Sequence, residues 1–218
     1  MKKIEKQNLG KFIDGLIISG YKVIAPVNKK GKHYFSSLTS AGEMSLDYIQ
    51  TVLSPKAVYF PNTETLLKYE RINGSYKVNE IEIPEQKTVL FGVRPCDAKA
   101  LEYLSDFFLK ENPDKYIKIR KENTTIISMS CSKSDKDCFC TSVGISPSDT
   151  RGADILITDV QEFYYTEVIS EKGKSLIDNF PEMVSETSEI DKTKFTANLK
   201  VKFSLGELQT KLKEIFES

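Results

Sequence analysis

The sequence predicts an α/β protein: a mixed sheet built around a β-α-β unit with flanking helices, an α+β portion of short elements on its N-terminal side, and a cysteine cluster at the strand carboxyl ends. Three observations predict it. The run TVLFGV (88 to 93) is continuously apolar and rich in β-formers, as in a strand covered on both faces. Behind it, DAKALEYLSDFFL places Ala98, Leu101, Leu104, Phe107 and Phe108 at helical spacing. TTIISMS (124 to 130) is a second strand of the buried kind. Strand, helix and strand within about 40 residues make a unit whose two strands run parallel through a right-handed crossover.

The remaining elements follow in chain order. MKKIEKQNLGKFIDGLIISG reads as one amphipathic helix, with Ile4, Leu9, Phe12, Ile13, Leu16 and Ile17 on its apolar side and Gly20 closing it. YKVIAPV and KHYFSSL are strands around a Lys/Gly turn, and LSPKAVYFPNTETLLKYE sets two prolines ahead of a short helix. ERINGSYKVNEIEI carries an Asn73-Gly74 turn between alternating stretches, a hairpin signature. Past the central unit, ADILITDV and EFYYTEVIS are strands and GKSLIDNF is a short helix. SLGELQTKLKEIFES is a last helix, opened by a capping box of Ser204 and Glu207 and carrying Leu205, Leu208, Leu212 and Ile215 on one side. No repeat, low-complexity tract or linker divides the chain. It reads as a single domain over 1–218, with an α+β portion at 1–84, a cluster-binding β-α-β portion at 85–180 and an extension with its helix at 181–218.

Composition narrows the function. At 39% hydrophobic and 28% charged residues the 218-residue chain can bury a core, which argues against wholesale disorder. No segment approaches the roughly 20 apolar residues of a membrane span. Glu5, Lys6, Lys11 and Asp14 interrupt any signal-peptide core, so no membrane is expected and the protein is placed in the cytoplasm. Thirty-one basic residues balance 31 acidic ones, which gives no reason to expect a nucleic-acid partner. His33, the single histidine, lies in a Lys/Gly turn and reads as surface; no Ser/His/Asp arrangement forms around it. GVRPCDAKAL follows a strand and opens a helix, but its one glycine does not make a dinucleotide-binding loop.

The four cysteines carry the chemistry. In a reducing compartment thiols serve metal binding or catalysis more often than disulfides. Cys96 follows the strand 88 to 93 and Cys131 follows the strand 124 to 130. If those strands are parallel neighbours, both thiols emerge at the edge where open α/β sheets bind ligands. At the entry to its helix, Cys96 meets backbone N–H groups and the positive dipole end, which favour a thiolate. The loop SKSDKD then returns Cys138 and Cys140, and in extended backbone Cys-Phe-Cys aims two sulfurs one way and Phe139 the other, where it shields the site or packs in the core. The spacing C-x34-C-x6-C-x-C is neither a pair of zinc knuckles nor a bacterial ferredoxin run. It leaves open an iron-sulfur cluster, a structural zinc, buried cysteines, or an enzyme acting through a reactive Cys96. Arg94 beside Cys96 would stabilise a more negative, reduced cluster or pair with a carboxylate, and Asp97 and Lys99 have the same two readings.

LFGVRPCDAKALEYLSDFF, SCSKSDKDCFCTSVG and GADILITDVQEFYYTEVISEKGKSLI resemble the N-terminal region of the family that holds the iron-sulfur electron-transfer subunit of anaerobic sulfite reductases and the beta subunit of cytosolic sulfhydrogenases. LSPKAVYFPNTETLLKYE is similar to that family's Pro-Pro-Lys and Pro-x-x-E-x-L-F segments, so the resemblance runs from about Tyr21 to Ile177. It implies an electron-relay subunit, with Cys96, Cys131, Cys138 and Cys140 as ligands of a 4Fe-4S cluster beside Arg94 and Phe139. The implied partners are a flavoprotein or ferredoxin-like chain and a catalytic subunit. Family members continue into a module with two C-x2-C-x2-C-x3-C runs, about where this chain reaches Ser218. A single-cluster relay, a docking subunit for separate ferredoxin-like chains and a domain of a longer protein are the three forms this permits.

Overall fold

The structure, a computed structural model, describes residues 1–202 and 204–217. Its first element is a correction: Lys2–Glu5 is a strand, β1, and the first helix, α1, is confined to Lys6–Ile18. Leu9, Phe12, Ile13 and Leu16 form the buried i, i+3, i+4, i+7 stripe of α1. Ile4 lies five residues ahead of Leu9, off that stripe, and is buried in the sheet instead. Next come β2 (Lys22–Lys29) and β3 (Lys32–Ser37), joined through Lys30 and Gly31, both at positive φ as a two-residue hairpin of this hand requires.

The short helix expected after the two prolines is absent. Pro55–Val58 is a single 3-10 turn, and the chain beyond Pro61 leads into β4 (Leu67–Ile72). This strand pairs in full register with β5 (Ser75–Glu80) across the Asn73-Gly74 turn, so hairpin pairing overrides local helical preference. Then follow β6 (Thr88–Val93), α2 (Pro95–Leu109), α3 (Lys115–Asn123) and β7 (Thr124–Met129). Sequence periodicity missed α3 because Ile117 is its one buried residue; the Asp114 carboxylate caps it by accepting from the N–H groups of Tyr116 and Ile117. The chain closes with β8 (Ile155–Asp159), β9 (Phe163–Val168), α4 (Glu171–Asp178), β10 (Ser185–Glu186) and α5 (Leu205–Glu217). The capping box of α5 forms as expected: Glu207 N–H donates to Ser204 Oγ at 3.1 Å and Ser204 N–H to Glu207 Oε2 at 3.3 Å. Leu208, Leu212 and Ile215 are exposed on it, and the side chain of Leu205 lies outside the described residues.

Among the described residues eight strands make one sheet, in the order β10-β1-β9-β8-β7-β6-β2-β3, and β4 with β5 makes a second. The neighbours β2/β6, β6/β7 and β7/β8 are parallel, and the flanks are antiparallel. Every residue of β6 and of β7 is buried, including Thr88, Thr124, Thr125 and Ser128, as in strands covered on both faces. One face of the sheet packs against α1 and α4, with Phe12, Ile13, Leu16, Leu176 and Ile177 against Val89, Phe91 and Ile127. The other face packs against α2, with Leu90, Val93 and Ile126 against Ala98 and Leu101. Fully burying side chains of this size stabilises by about 1.5–3 kcal/mol each. No helix among the described residues is long and apolar enough to cross a membrane.

Two glycines determine the local shape near the strand ends. Gly92 sits at φ +77° where the β6/β7 register shifts, a bulge that turns Val93 onto the face of Leu90. A Cβ there would come within 3.1 Å of Leu46 Cδ2 and 3.2 Å of Pro26 Cδ. Gly152, at φ +76°, brings its loop against α2, and a Cβ would lie 2.2 Å from the Ala98 carbonyl oxygen. Gly144 has a similar φ of +73° but open space around it. Gly152→Ala should therefore cost about 2–4 kcal/mol in urea unfolding, from backbone strain plus overpacking, whereas Gly144→Ala should cost only about 1–2 kcal/mol. Equal losses at the two positions would show that the contact with Ala98 is not tight.

Candidate metal centre

Parallel pairing of β6 and β7 sets the site. Arg94 is the N-cap of α2 and Cys96 lies in its first turn, while Cys131 follows β7 by two residues. Cys131 is tied on both sides: its N–H donates to Pro147 O at 2.9 Å and its carbonyl accepts from Ala197 N–H at 2.7 Å. The intervening loop is turned by Asp135, whose Oδ1 accepts from the N–H groups of Asp137 (2.8 Å) and Cys138 (3.0 Å). Asp135 N–H in turn points at Cys138 Sγ, 3.4 Å away. Cys140 opens a 3-10 turn, Cys140–Val143, capped by left-handed Gly144.

All four cysteines line one cavity of about 390 Å³. Arg94, Asp97 and Phe139 line it too, and Ile49, Val143, Ile145 and Leu199 complete apolar parts of its wall. Cys96 is exposed toward this open recess, and the other three thiols are half-buried. Phe139 departs from expectation. Its backbone (φ −137°, ψ 8°) is not extended, so the Cys-Phe-Cys segment does not simply alternate; Phe139 stands at the cavity wall, 52% exposed, and not in the core. Among the described residues no group of three or more His, Cys, Asp or Glu is arranged to hold a metal ion. The thiols share a cavity without being gathered into an ion-sized ligand set.

Desolvation dominates the electrostatics. Although Cys96 keeps solvent contact at the open side of the recess, the protein around its thiol pushes it up to about 12, reinforced by Asp97, Cys131 and Cys140, with only a backbone N–H opposing. The thiolate favoured by a helix entry is thus overridden in the metal-free protein. Burial likewise pushes Cys131 up to about 11; Arg94 opposes, while Cys140, Cys138 and Asp97 add to the rise. Cys140 is raised in the same way, by burial first. The Asp97 carboxyl is raised by burial against the opposing Ser54 hydroxyl, 3.3 Å away, and Arg94.

Arg94 is buried and, among the described residues, has no carboxylate as a hydrogen-bond partner. Its guanidinium donates to the carbonyls of Tyr48, Ser130 (3.3 Å) and Leu46 (3.5 Å), and its Nε is buried with no partner. The carboxylate pairing allowed by the sequence is therefore not what holds it. A buried cation left among carbonyls calls for an anionic neighbour, and a thiolate-bound group in this cavity fits that demand. Lys99, by contrast, pairs with Glu102 and lies over Tyr103, away from the cavity. His33 is half-buried in β3, with Nε2 2.9 Å from Ser45 Oγ and its ring stacked on Tyr48.

Sequence reasoning missed the loop 45–54, which supplies Tyr48, Ile49 and Ser54, and the segment 196–202, which supplies Leu199. Neither carries metal-ligand chemistry, so spacing gave no signal. Gly92 inside an otherwise solid strand pattern was the one available sign that the backbone is re-aimed there.

The raised thiols link stability to pH. Below pH 9 both Cys96 and Cys131 are neutral in the folded and unfolded chain; above it the unfolded chain ionises while the folded one resists until about 11–12. Stability of the metal-free protein should therefore fall as pH rises from 9 toward 11. A Cys96→Ser, Cys131→Ser variant should lose less over that interval in urea unfolding, and identical slopes would remove the assignment.

Known proteins give one point of comparison. The chain is similar to Sulfhydrogenase 2 subunit beta of Pyrococcus furiosus, 29% identical over 174 residues, which are 80% of this chain and 50% of that protein. It therefore spans about half the length of the curated relative it matches. No family model matches the chain, and no solved structure matches it. The similarity accords with the resemblance, drawn from the segments around RPCDAKAL and CFC, to the N-terminal region of the sulfhydrogenase beta family.

Proposed function

We propose that the chain is an electron-transfer subunit of a cytoplasmic oxidoreductase complex, with a 4Fe-4S cluster held by Cys96, Cys131, Cys138 and Cys140. The observation that carries this reading is that every thiol in the sequence, drawn from three separate segments, lines the same cavity. Similarity to a sulfhydrogenase beta subunit supports a redox role and partner subunits: a catalytic chain, and a flavoprotein or ferredoxin-like chain as donor or acceptor. When bound, such a group supplies one-electron exchange without a substrate pocket.

The chain's own residues hold and tune it. Cys96 and Cys131 approach from the carboxyl ends of two adjacent strands, and the Asp135-turned loop brings Cys138 and Cys140. Asp135 N–H, donating toward Cys138 Sγ, stabilises negative charge on that sulfur. Arg94 places a permanent positive charge at the cavity wall, which favours the more negative state. Ile49, Val143, Ile145, Leu199 and Phe139 limit water at the sulfurs. A Cys96 thiol raised to about 12 is a weak nucleophile at neutral pH, which speaks against an enzyme acting through that thiol.

Anaerobic purification should give a brown protein with iron and acid-labile sulfide, and each Cys→Ser variant should lose most of that iron. A colourless protein holding one zinc would overturn the reading, and full iron retention by Cys140→Ala would remove that thiol from the ligand set. In the loaded protein Arg94→Gln should lower the midpoint potential, measured by an EPR-monitored redox titration. An unchanged potential would deny Arg94 its electrostatic role.

A further inference from the structure

The Arg94 guanidinium faces the metal cavity without a carboxylate to hold it, so something else must set its position. Its Cζ lies 4.0 Å from the centre of the Tyr48 ring, a cation-π contact made where both groups are buried. The same residue's carbonyl accepts from Arg94 Nη2, and its hydroxyl donates to the carbonyl of Gly92. Gly92 is the bulge that ends regular pairing of β6 two residues before Arg94. Three separate contacts from one residue thus converge on the arginine and on the backbone that launches it. On its own side Tyr48 is buttressed by the His33 ring, centroids 5.5 Å apart and 30° between planes.

We infer that Tyr48 is a positioning residue of the metal centre: its ring face and carbonyl fix the Arg94 guanidinium at the cavity wall. The inference rests on the reading of the cavity as an iron-sulfur site and extends it to a residue 46 positions away that touches no sulfur ligand in the chain's hydrogen-bond pattern. The long, flexible arginine side chain loses much entropy on being fixed, and a flat aromatic face beneath it restricts the guanidinium to one plane. Without that face the charge is free to swing away from the thiols and its effect on them weakens with distance.

The test is the midpoint potential of the iron-loaded protein. Tyr48→Leu should lower it in the same direction as Arg94→Gln, Tyr48→Phe should restore it to near the wild-type value, and Tyr48→Leu combined with Arg94→Gln should match Arg94→Gln alone. No shift in Tyr48→Leu, no rescue by Phe, or an equal further shift with Arg94 already replaced would each overturn the inference. A second measurement needs neither cluster nor variant stability. In the ¹⁵N,¹³C-labelled metal-free wild-type protein the Arg94 Nε–H resonance, assigned by through-bond correlation to its own side chain and backbone, should be displaced by the Tyr48 ring current and slow to exchange. An undisplaced, fast-exchanging resonance would refute the stacking. If the wild-type protein takes up no iron, the iron-sulfur reading fails while this resonance still decides the placement of Arg94.

Discussion

The hydrogen-bonded, parallel pairing of β6 with β7 is the constraint on which the cysteine cavity depends. Thr88 to Phe91 pair in register with Thr124 to Ile127, and Val93 with Ser128 beyond the Gly92 bulge, so the chain leaves both strands at the same edge of the sheet. That pairing brings Cys96 and Cys131, 35 positions apart in sequence, to one cavity. Complete burial of both strands holds the pairing in place: six buried residues in each leave no polar face that a slipped register would tolerate. Pairing with β2 on one side and β8 on the other leaves the two strands no free edge.

Charge at the cavity follows from the same geometry. Packing thiols and Asp97 together at a recessed sheet edge makes every negative form expensive, and burial leads among the causes that raise Cys96, Cys131, Cys140 and Asp97. Arg94 is the opposing element and a costly one in isolation. Carbonyl dipoles and a π face stabilise a guanidinium less than a carboxylate does, and its Nε has no acceptor. The metal-free cavity is therefore electrostatically unbalanced on both counts: acids that resist ionising and a cation that lacks a full counter-charge. The proposed cluster would relieve both at once, by holding its ligands as thiolates beside that cation.

The parts of this arrangement legible in the sequence were those encoded in local pattern. TVLFGV and TTIISMS lack any polar alternation, the helical stripe of Ala98 and Leu101 lies between them, and Asn73-Gly74 marks its hairpin without ambiguity. Ile4 was misplaced because an apolar residue next to an amphipathic helix looks continuous with it; only pairing with Tyr164 and its neighbours in β9 puts it in a strand. The helix α3 stayed hidden because its packing rests on Ile117 and its start on a single capping aspartate. Tyr48 and Leu199 were out of reach for a different reason. Their roles come from contacts across dozens of residues, where neither residue type nor spacing announces a partner.

Segment 196–202 has a temporal meaning that its contacts imply. It lies along the cysteine loop, with Ala197 N–H on Cys131 O, Lys200 O accepting from the Thr141 hydroxyl, and Lys202 N–H on Ser142 Oγ, and it sets Leu199 into the cavity wall. A polypeptide is made from its N-terminus, and Cys140 leaves the ribosome well before Leu199 does. During that interval the four thiols exist while one wall of their chamber has yet to be synthesised. The last part of the wall to be synthesised is therefore the one that narrows the cavity.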